Sequence, residues 1–149
     1  MLQYPLSDVE MLSWLLVNVQ SGVGGIYFRD TLPLDRKVHT TPTIYIANTA
    51  KLSHPTGTHW VALTLGLERA EYFDSLGHAP CAEFVEFLGP HYVYCATPLQ
   101  ATTETSCGYL CLFYAVCRSH HLTFETIVKI CYAAGSYAIM ATVQELGPL

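Results

Sequence analysis

Residues 107–117 constrain the fold more than any other segment, because they are apolar on every side of a helix. A helix without a polar face must be covered all round, so the segment predicts a helix buried through the middle of a domain. The preceding residues 100–106 are polar and end in Thr105 and Ser106, which are residue types that favour a helix N-cap. We therefore expect the buried helix to begin at Cys107, with its first turn at a polar entrance.

The remaining segments predict a small sheet packed by helices. Ser7 and Glu10 form a capping box that opens a first helix, with Gly22 as its stop, and the glycine-rich residues 21–25 are typical of a turn. β-Branched and aromatic residues predict strands at 43–48, 59–67, 69–74 and 91–96, and a primed turn at Gly66-Leu67 joins the second to the third. Further helices are expected at 80–88, 123–134 and 137–146. This order predicts an α+β fold with a small mixed or antiparallel central sheet, in one domain spanning residues 1–149.

Composition and charge argue against several classes of function. The chain has 7 Lys and Arg residues against 12 Asp and Glu, a net charge of −5, so it lacks the cationic footprint of a nucleic-acid-binding protein. Apolar residues make up 51% of the chain, which argues against intrinsic disorder. No apolar run approaches the roughly 18 residues of a membrane span. Asp8 and Glu10 stand where a signal peptide carries positive charge, so we expect an intracellular protein.

The six cysteines favour free thiols over bridges. Cys107, Cys111 and Cys117 are spaced by four and six along the predicted helix, which suits burial better than mutual bonding. No Cys-x-x-Cys or paired Cys/His motif accompanies the adjacent His120 and His121, so no metal site is expected.

His59 and Asp74 are expected to meet across the predicted hairpin. If the chain turns at Gly66-Leu67, positions that face each other sum to about 133, which sets His59 opposite Asp74. A carboxylate beside a histidine holds the ring in one tautomer and stabilises its imidazolium form. Chance His–Asp pairs in hairpins are common, so the pair indicates a site only in combination with other residues.

Cys107 and Gln100 supply that combination. A cysteine in the first turn of a helix is favoured as the thiolate, the nucleophilic form, by the unpaired amides and the helix dipole. Gly108 leaves room there for a substrate backbone, and the Gln100 amide together with the Cys107 N–H forms a candidate oxyanion hole. Most cysteines of apolar helices are core residues, which remains the interpretation for Cys111, Cys117 and Cys131.

Taken in order, these residues resemble the adenovirus-type cysteine proteases, which belong to the clan of the SUMO-deconjugating proteases. The resemblance covers about residues 44–117 and rests on four blocks of sequence: Asn48-Thr49-Ala50, Gly57-Thr58-His59-Trp60-Val61-Ala62, Tyr72-Phe73-Asp74-Ser75-Leu76-Gly77, and Gln100 with Ser106-Cys107-Gly108-Tyr109-Leu110-Cys111.

The resemblance implies a role for each matching residue. It makes Cys107 the nucleophile, His59 the general base, Asp74 the residue that orients the base, and Gln100 an oxyanion donor. It makes Trp60 a shield for the histidine and a wall of the substrate groove, although core packing alone also explains a tryptophan there. Asp74 is a departure, since the adenovirus enzymes have Glu at this position and Asp is usual elsewhere in the clan.

The resemblance also implies a biological role. It favours a viral or virus-like endopeptidase that cleaves precursor structural proteins at glycine-containing sites, in the host nucleus or the virion. The chemistry requires no cofactor. An activating peptide remains open, although the spacing of Cys95 to Gln100 differs from that of the cofactor-linking cysteine in the adenovirus enzymes, and DNA is not expected as an activator at a net charge of −5.

Two other functions remain open at this stage. The same active site serves an isopeptidase that removes ubiquitin or a SUMO-like modifier, which would need an additional surface for a folded modifier. A catalytically inactive interaction module is disfavoured, because all four active-site positions carry competent residues.

Overall fold

One helix, four strands, a helix, a fifth strand and three helices follow one another in the computed structural model, which describes residues 5–34, 41–54 and 59–147. Gly57 and Thr58, quoted above, lie outside the described residues. The elements are α1 (Asp8–Asn18), β1 (Val23–Phe28), β2 (Thr43–Asn48), β3 (Trp60–Leu65), β4 (Ala70–Phe73), α2 (Ala82–Leu88), β5 (Tyr92–Tyr94), α3 (Cys107–Ser119), α4 (Phe124–Ala134) and α5 (Ser136–Leu146).

The described strands form a mixed sheet in the order β1-β2-β3-β4-β5. The two outer pairs, β1 with β2 and β4 with β5, are parallel, whereas β2 with β3 and β3 with β4 are antiparallel. The α+β class with a small mixed sheet is therefore confirmed.

Helix α3 lies at the centre of the main core, as its sequence predicts. Nine consecutive residues from Cys107 to Ala115 are buried, and α1, α4, α5 and strand β3 all pack against the helix. A second cluster on the other sheet face packs α2 against β3 and β4. Among the described residues, no single helix is long and apolar enough to cross a membrane; α4 and α5 qualify only as a pair bent by 109°.

Strand β1 corrects the prediction of a turn at residues 21–25. A Cβ on Gly24 would stand 2.3 Å from the ring of Tyr45, so the glycine allows β1 to lie close beside β2. The glycine-rich composition therefore reflects tight strand packing, which short-range sequence signals do not distinguish from a turn. The capping box of α1 is confirmed, since the Ser7 hydroxyl accepts from the Glu10 amide and the Glu10 carboxylate accepts from the Ser7 amide.

The β3–β4 register differs by two residues from the predicted one. Ala62 pairs with Phe73 and Leu63 with Tyr72, and residues 66–69 make a longer turn than the two residues expected. Arg69 belongs to this turn, and its guanidinium pairs with Glu125 of α4. A shift of two residues keeps every side chain on its expected face, so His59 and Asp74 become diagonal neighbours on one face instead of directly opposed residues.

A buried polar network ties α3 to the sheet. Glu71 of β4 is only 4% exposed, and its carboxylate accepts two hydrogen bonds from Arg118, at 2.9 Å from Nε and 3.1 Å from Nη2. The Tyr114 hydroxyl donates to the same carboxylate and lies 2.9 Å from the Thr64 hydroxyl. The carboxylate therefore has several donors to replace water, which a buried charge requires.

Arg118→Met should lower the free energy of unfolding by about 3 kcal/mol, because it leaves the buried Glu71 carboxylate without its cationic partner. Arg69→Met is the matched control, since it removes an arginine from an exposed ion pair and should cost less than about 1 kcal/mol. Urea denaturation of both variants measures the difference, and equal small losses would show that the Glu71 pair is not a buried one in solution.

Candidate active site

His59 and Asp74 meet at neighbouring strand ends. Nε2 of His59 lies 2.6 Å from Oδ1 of Asp74, whose side chain is only 3% exposed. The same carboxylate oxygen accepts the Leu76 amide at 2.8 Å. Because an ionised carboxylate only accepts hydrogen bonds, Nε2 carries the proton and the Nδ1 atom of the ring remains for a different partner.

The imidazole also interacts with Cys107, and its two neighbours together make it strongly basic. Burial disfavours the imidazolium and would lower the pKa of His59, but hydrogen bonds and charge interactions with Asp74 and Cys107 outweigh it and raise the pKa to about 9. His59 therefore links the carboxylate to the sulfur, which is the arrangement of a base held between an acid and a nucleophile.

Cys107 is the first residue of α3, as predicted, and is 5% exposed. Within the described residues, the Ser106 hydroxyl donates to the Glu104 carboxylate at 3.0 Å and does not cap the helix. The partial positive charge at the N-terminus of α3 favours an anion at Cys107.

The other cysteines of α3 and α4 are Cys111, Cys117 and Cys131. Burial raises the pKa of Cys111 well above its usual value, that of Cys117 to about 11 and that of Cys131 to about 12. Their thiols therefore stay protonated and inert at neutral pH, in line with their interpretation as core residues. No disulfide joins any of the six cysteines, all of which lie among the described residues.

Gln100 is 8% exposed and lies in the loop between β5 and α3. Its Oε1 accepts the Ser75 hydroxyl at 2.6 Å, and its Nε2 donates to the Glu104 carbonyl at 3.3 Å. Ser75 directly follows Asp74, and Glu104 lies in the loop that leads into Cys107. The amide is thus anchored to both the acid and the nucleophile segments, and its contact with an oxyanion remains a prediction.

Trp60 and Gly108 both contact Leu6, which precedes α1. The indole Nε1 of Trp60 donates to the Leu6 carbonyl at 3.0 Å, and a Cβ on Gly108 would stand 3.2 Å from Cβ of Leu6 and 3.5 Å from Sδ of Met11. The protein itself therefore fills the space in the Cβ direction of Gly108. That Gly108 leaves room for a substrate backbone on another side stays a prediction. Leu6 carries no sequence signal for this contact, because the contact depends on tertiary packing.

Two open grooves involve the N-terminal end of β3: the first is lined by Trp60, which follows His59 in the chain, and the second by the His59–Asp74 pair. One, of about 380 Å³, runs from Trp60 past Asn48 to Phe28 and is bordered by Leu6 and Ser7. The other, of about 280 Å³, contains His59 and Asp74 themselves together with Arg29, His78 and Cys81. Among the described residues, no group of three or more His, Cys, Asp or Glu side chains is placed to hold a metal ion.

Comparison of whole structures places the fold among known proteins, whereas protein-family models and curated proteins give no sequence match. The ASFV pS273R protease matches with a TM-score of 0.66 at 14% identity, over 99% of this chain and 72% of that one. A selenomethionine structure of the same protease matches with a TM-score of 0.55 at 18% identity, over 73% of this chain and 45% of that one. The SUMO protease Ulp1, with its catalytic cysteine oxidised to a sulfonic acid, matches with a TM-score of 0.50 at 10% identity, over 93% of this chain and 79% of that one.

The chain has the SUMO-protease fold. Its structural neighbours are cysteine proteases of the clan to which the adenovirus-type enzymes also belong, which confirms the resemblance in fold. The chain spans less than half of one ASFV protease structure, so the activity of the whole neighbour does not follow from the match.

The stability that His59 contributes should depend on pH in a defined window. The folded pKa of about 9 lies above the ordinary value of 6.5, so the contribution is fully present below about pH 6.5 and is lost as pH rises through about 9. Urea unfolding of the native protein and of His59→Gln should show a stability gap that is wide at pH 6 and narrows by pH 10. A gap of constant size would mean that the folded protein does not hold a charged imidazolium.

Proposed function

We propose that this chain is a cysteine endopeptidase that uses Cys107, His59 and Asp74, with Gln100 as oxyanion donor. The observation that carries the proposal is the His59 imidazole, which contacts Asp74 through Nε2 and interacts with Cys107, and whose pKa is raised to about 9. An imidazolium at neutral pH beside a sulfur at a helix N-terminus favours the thiolate, the nucleophilic form.

The residues perform acyl transfer in two steps. The Cys107 thiolate attacks the peptide carbonyl carbon, and the oxyanion that forms accepts hydrogen bonds from the Gln100 amide and the Cys107 N–H. His59 gives its Nδ1 proton to the departing amine, the C–N bond breaks, and a thioester remains. Water then attacks the thioester while His59 accepts its proton, and the acid product leaves as the thiolate–imidazolium pair is restored.

The substrates we propose are viral or virus-like precursor structural proteins, cut at glycine-containing sequences in the host nucleus or the virion. Support comes from the motif resemblance to adenovirus-type proteases and from the similarity to the ASFV protease over 99% of this chain. The chemistry needs no cofactor, and an activating peptide remains an open part of the proposal.

A deconjugating isopeptidase is the second candidate, favoured by the similarity to the SUMO protease Ulp1 over 93% of this chain. A SUMO or ubiquitin conjugate carrying a lysine-linked peptide distinguishes the two candidates from each other. Release of the folded modifier at a rate well above cleavage of linear peptides favours the isopeptidase.

Loss of the oxyanion donor should slow turnover without abolishing it. Gln100→Ala should lower kcat by about 10²- to 10³-fold, the usual cost of removing one oxyanion donor. The substrate is found first, by incubating the protein with a peptide mixture from a digested proteome and sequencing the new termini by mass spectrometry, and kcat is then measured on the best peptide. An unchanged kcat would remove Gln100 from the site.

Loss of the nucleophile should abolish cleavage altogether. Cys107→Ala should give no new termini in the same assay, because the nucleophile is absent. Its melting temperature should stay near that of the native protein, because the substitution removes only one buried sulfur atom. Cys111→Ala, one helical turn further on, is the matched control and should keep cleaving. Cleavage by Cys107→Ala would refute the assignment.

A further inference from the structure

We infer that Ser75 is a positioning residue that sets the Gln100 amide for the oxyanion, an inference that rests on the proposed function. The Ser75 hydroxyl donates to Oε1 of Gln100 at 2.6 Å, and both side chains are buried, at 1% and 8% exposure. A short hydrogen bond between two buried groups restricts the amide far more than one between exposed groups.

The backbone of Ser75 holds the same glutamine a second time. Its carbonyl accepts hydrogen bonds from two backbone N–H groups, that of Leu99 at 2.7 Å and that of Gln100 at 3.2 Å. Ser75 therefore fixes both the main chain and the side chain of Gln100, which enters the site from a different part of the sequence.

The surrounding carbonyls determine which way the amide faces. Nε2 of Gln100 lies 3.3 Å from the Glu104 carbonyl and 3.5 Å from the Ala101 carbonyl. Both oxygens only accept, so a flipped amide would set Oε1 against them, and the Ser75 hydroxyl stabilises the observed orientation by donating to Oε1. The contact at 3.5 Å is at the outer limit of a hydrogen bond, so the N–H on that side is the one available to an oxyanion.

The same turn holds the acid of the site. Ser75 follows Asp74, and the Leu76 amide donates to the Asp74 carboxylate at 2.8 Å. A Cβ on Gly77 would stand 2.7 Å from the Ala96 carbonyl, so the turn packs tightly against the segment that leads to Gln100. Residues 74–77 consequently place the orienting acid and the oxyanion donor in one rigid unit.

A double-mutant cycle on kcat tests the inference. Ser75→Ala should lower kcat by about tenfold or more with little change in KM. A misplaced Gln100 amide weakens a hydrogen bond to the oxyanion, and that bond forms only in the transition state. In the Gln100→Ala background, Ser75→Ala should produce no further loss of kcat. Ser119→Ala, which removes a hydroxyl at the far end of α3, should leave kcat unchanged.

A second readout separates positioning from damage to the triad. Alkylation of Cys107 by iodoacetamide forms no oxyanion, so its rate at pH 6 should be the same in Ser75→Ala and the native protein. If Ser75→Ala fails to fold, Ser75→Cys replaces it in the cycle, because a cysteine thiol is similar in size to the serine hydroxyl and is a weaker donor. The kcat of this variant should again fall only when Gln100 is present.

Five outcomes would overturn the inference. An equal loss of kcat in both backgrounds, or a slower alkylation of Cys107, would show that Ser75 acts through the fold or the triad. Native kcat in Ser75→Ala would show that the hydroxyl has no part in turnover. Native kcat in Gln100→Ala would remove the oxyanion assignment and leave the Cys107–His59 assignment standing, whereas cleavage by Cys107→Ala would remove the proposed function itself.

Discussion

Helix α3 has no polar face, so it is stable in water only where the sheet and three other helices cover it. Residues 107–115 are buried without interruption, and this burial places the N-terminus of the helix at the boundary between the core and solvent. Cys107 occupies that boundary because the polar loop from Gln100 to Ser106 ends there. The candidate nucleophile thus lies at the N-terminus of this apolar helix, which is the end that stabilises a negative charge.

The sheet positions the remaining groups relative to that end. Glu71 of β4 anchors Arg118 and Tyr114 of α3, so the strand that carries Asp74 at its end cannot slide against the helix without breaking a buried ion pair. The turn after Asp74 then reaches Gln100 through Ser75. The candidate acid, base, oxyanion donor and nucleophile lie on separate segments, and a small number of buried polar contacts fix their relative positions.

Much of this arrangement was predictable from local sequence. The apolar segment, the capping box of α1 and four of the five strands carry clear periodic or capping signals. The His59–Asp74 pair was predicted from a register that was wrong by two residues, and it survived because an even shift leaves both side chains on one face. Strand β1, the packing of Leu6 on Gly108 and the bond from Ser75 to Gln100 were not predictable, since each depends on a partner distant in sequence.

The alkylation profile of Cys107 with iodoacetamide from pH 5 to pH 10 tests the central claim most directly. A thiol with an ordinary pKa near 8.5 is almost wholly protonated at pH 6. We expect rapid and selective labelling of Cys107 at pH 6, located by peptide mass spectrometry, and a large decrease of that rate in His59→Ala. Labelling of Cys107 that is no faster than that of Cys95 at pH 6, and equal in the native protein and His59→Ala, would contradict a thiolate–imidazolium pair.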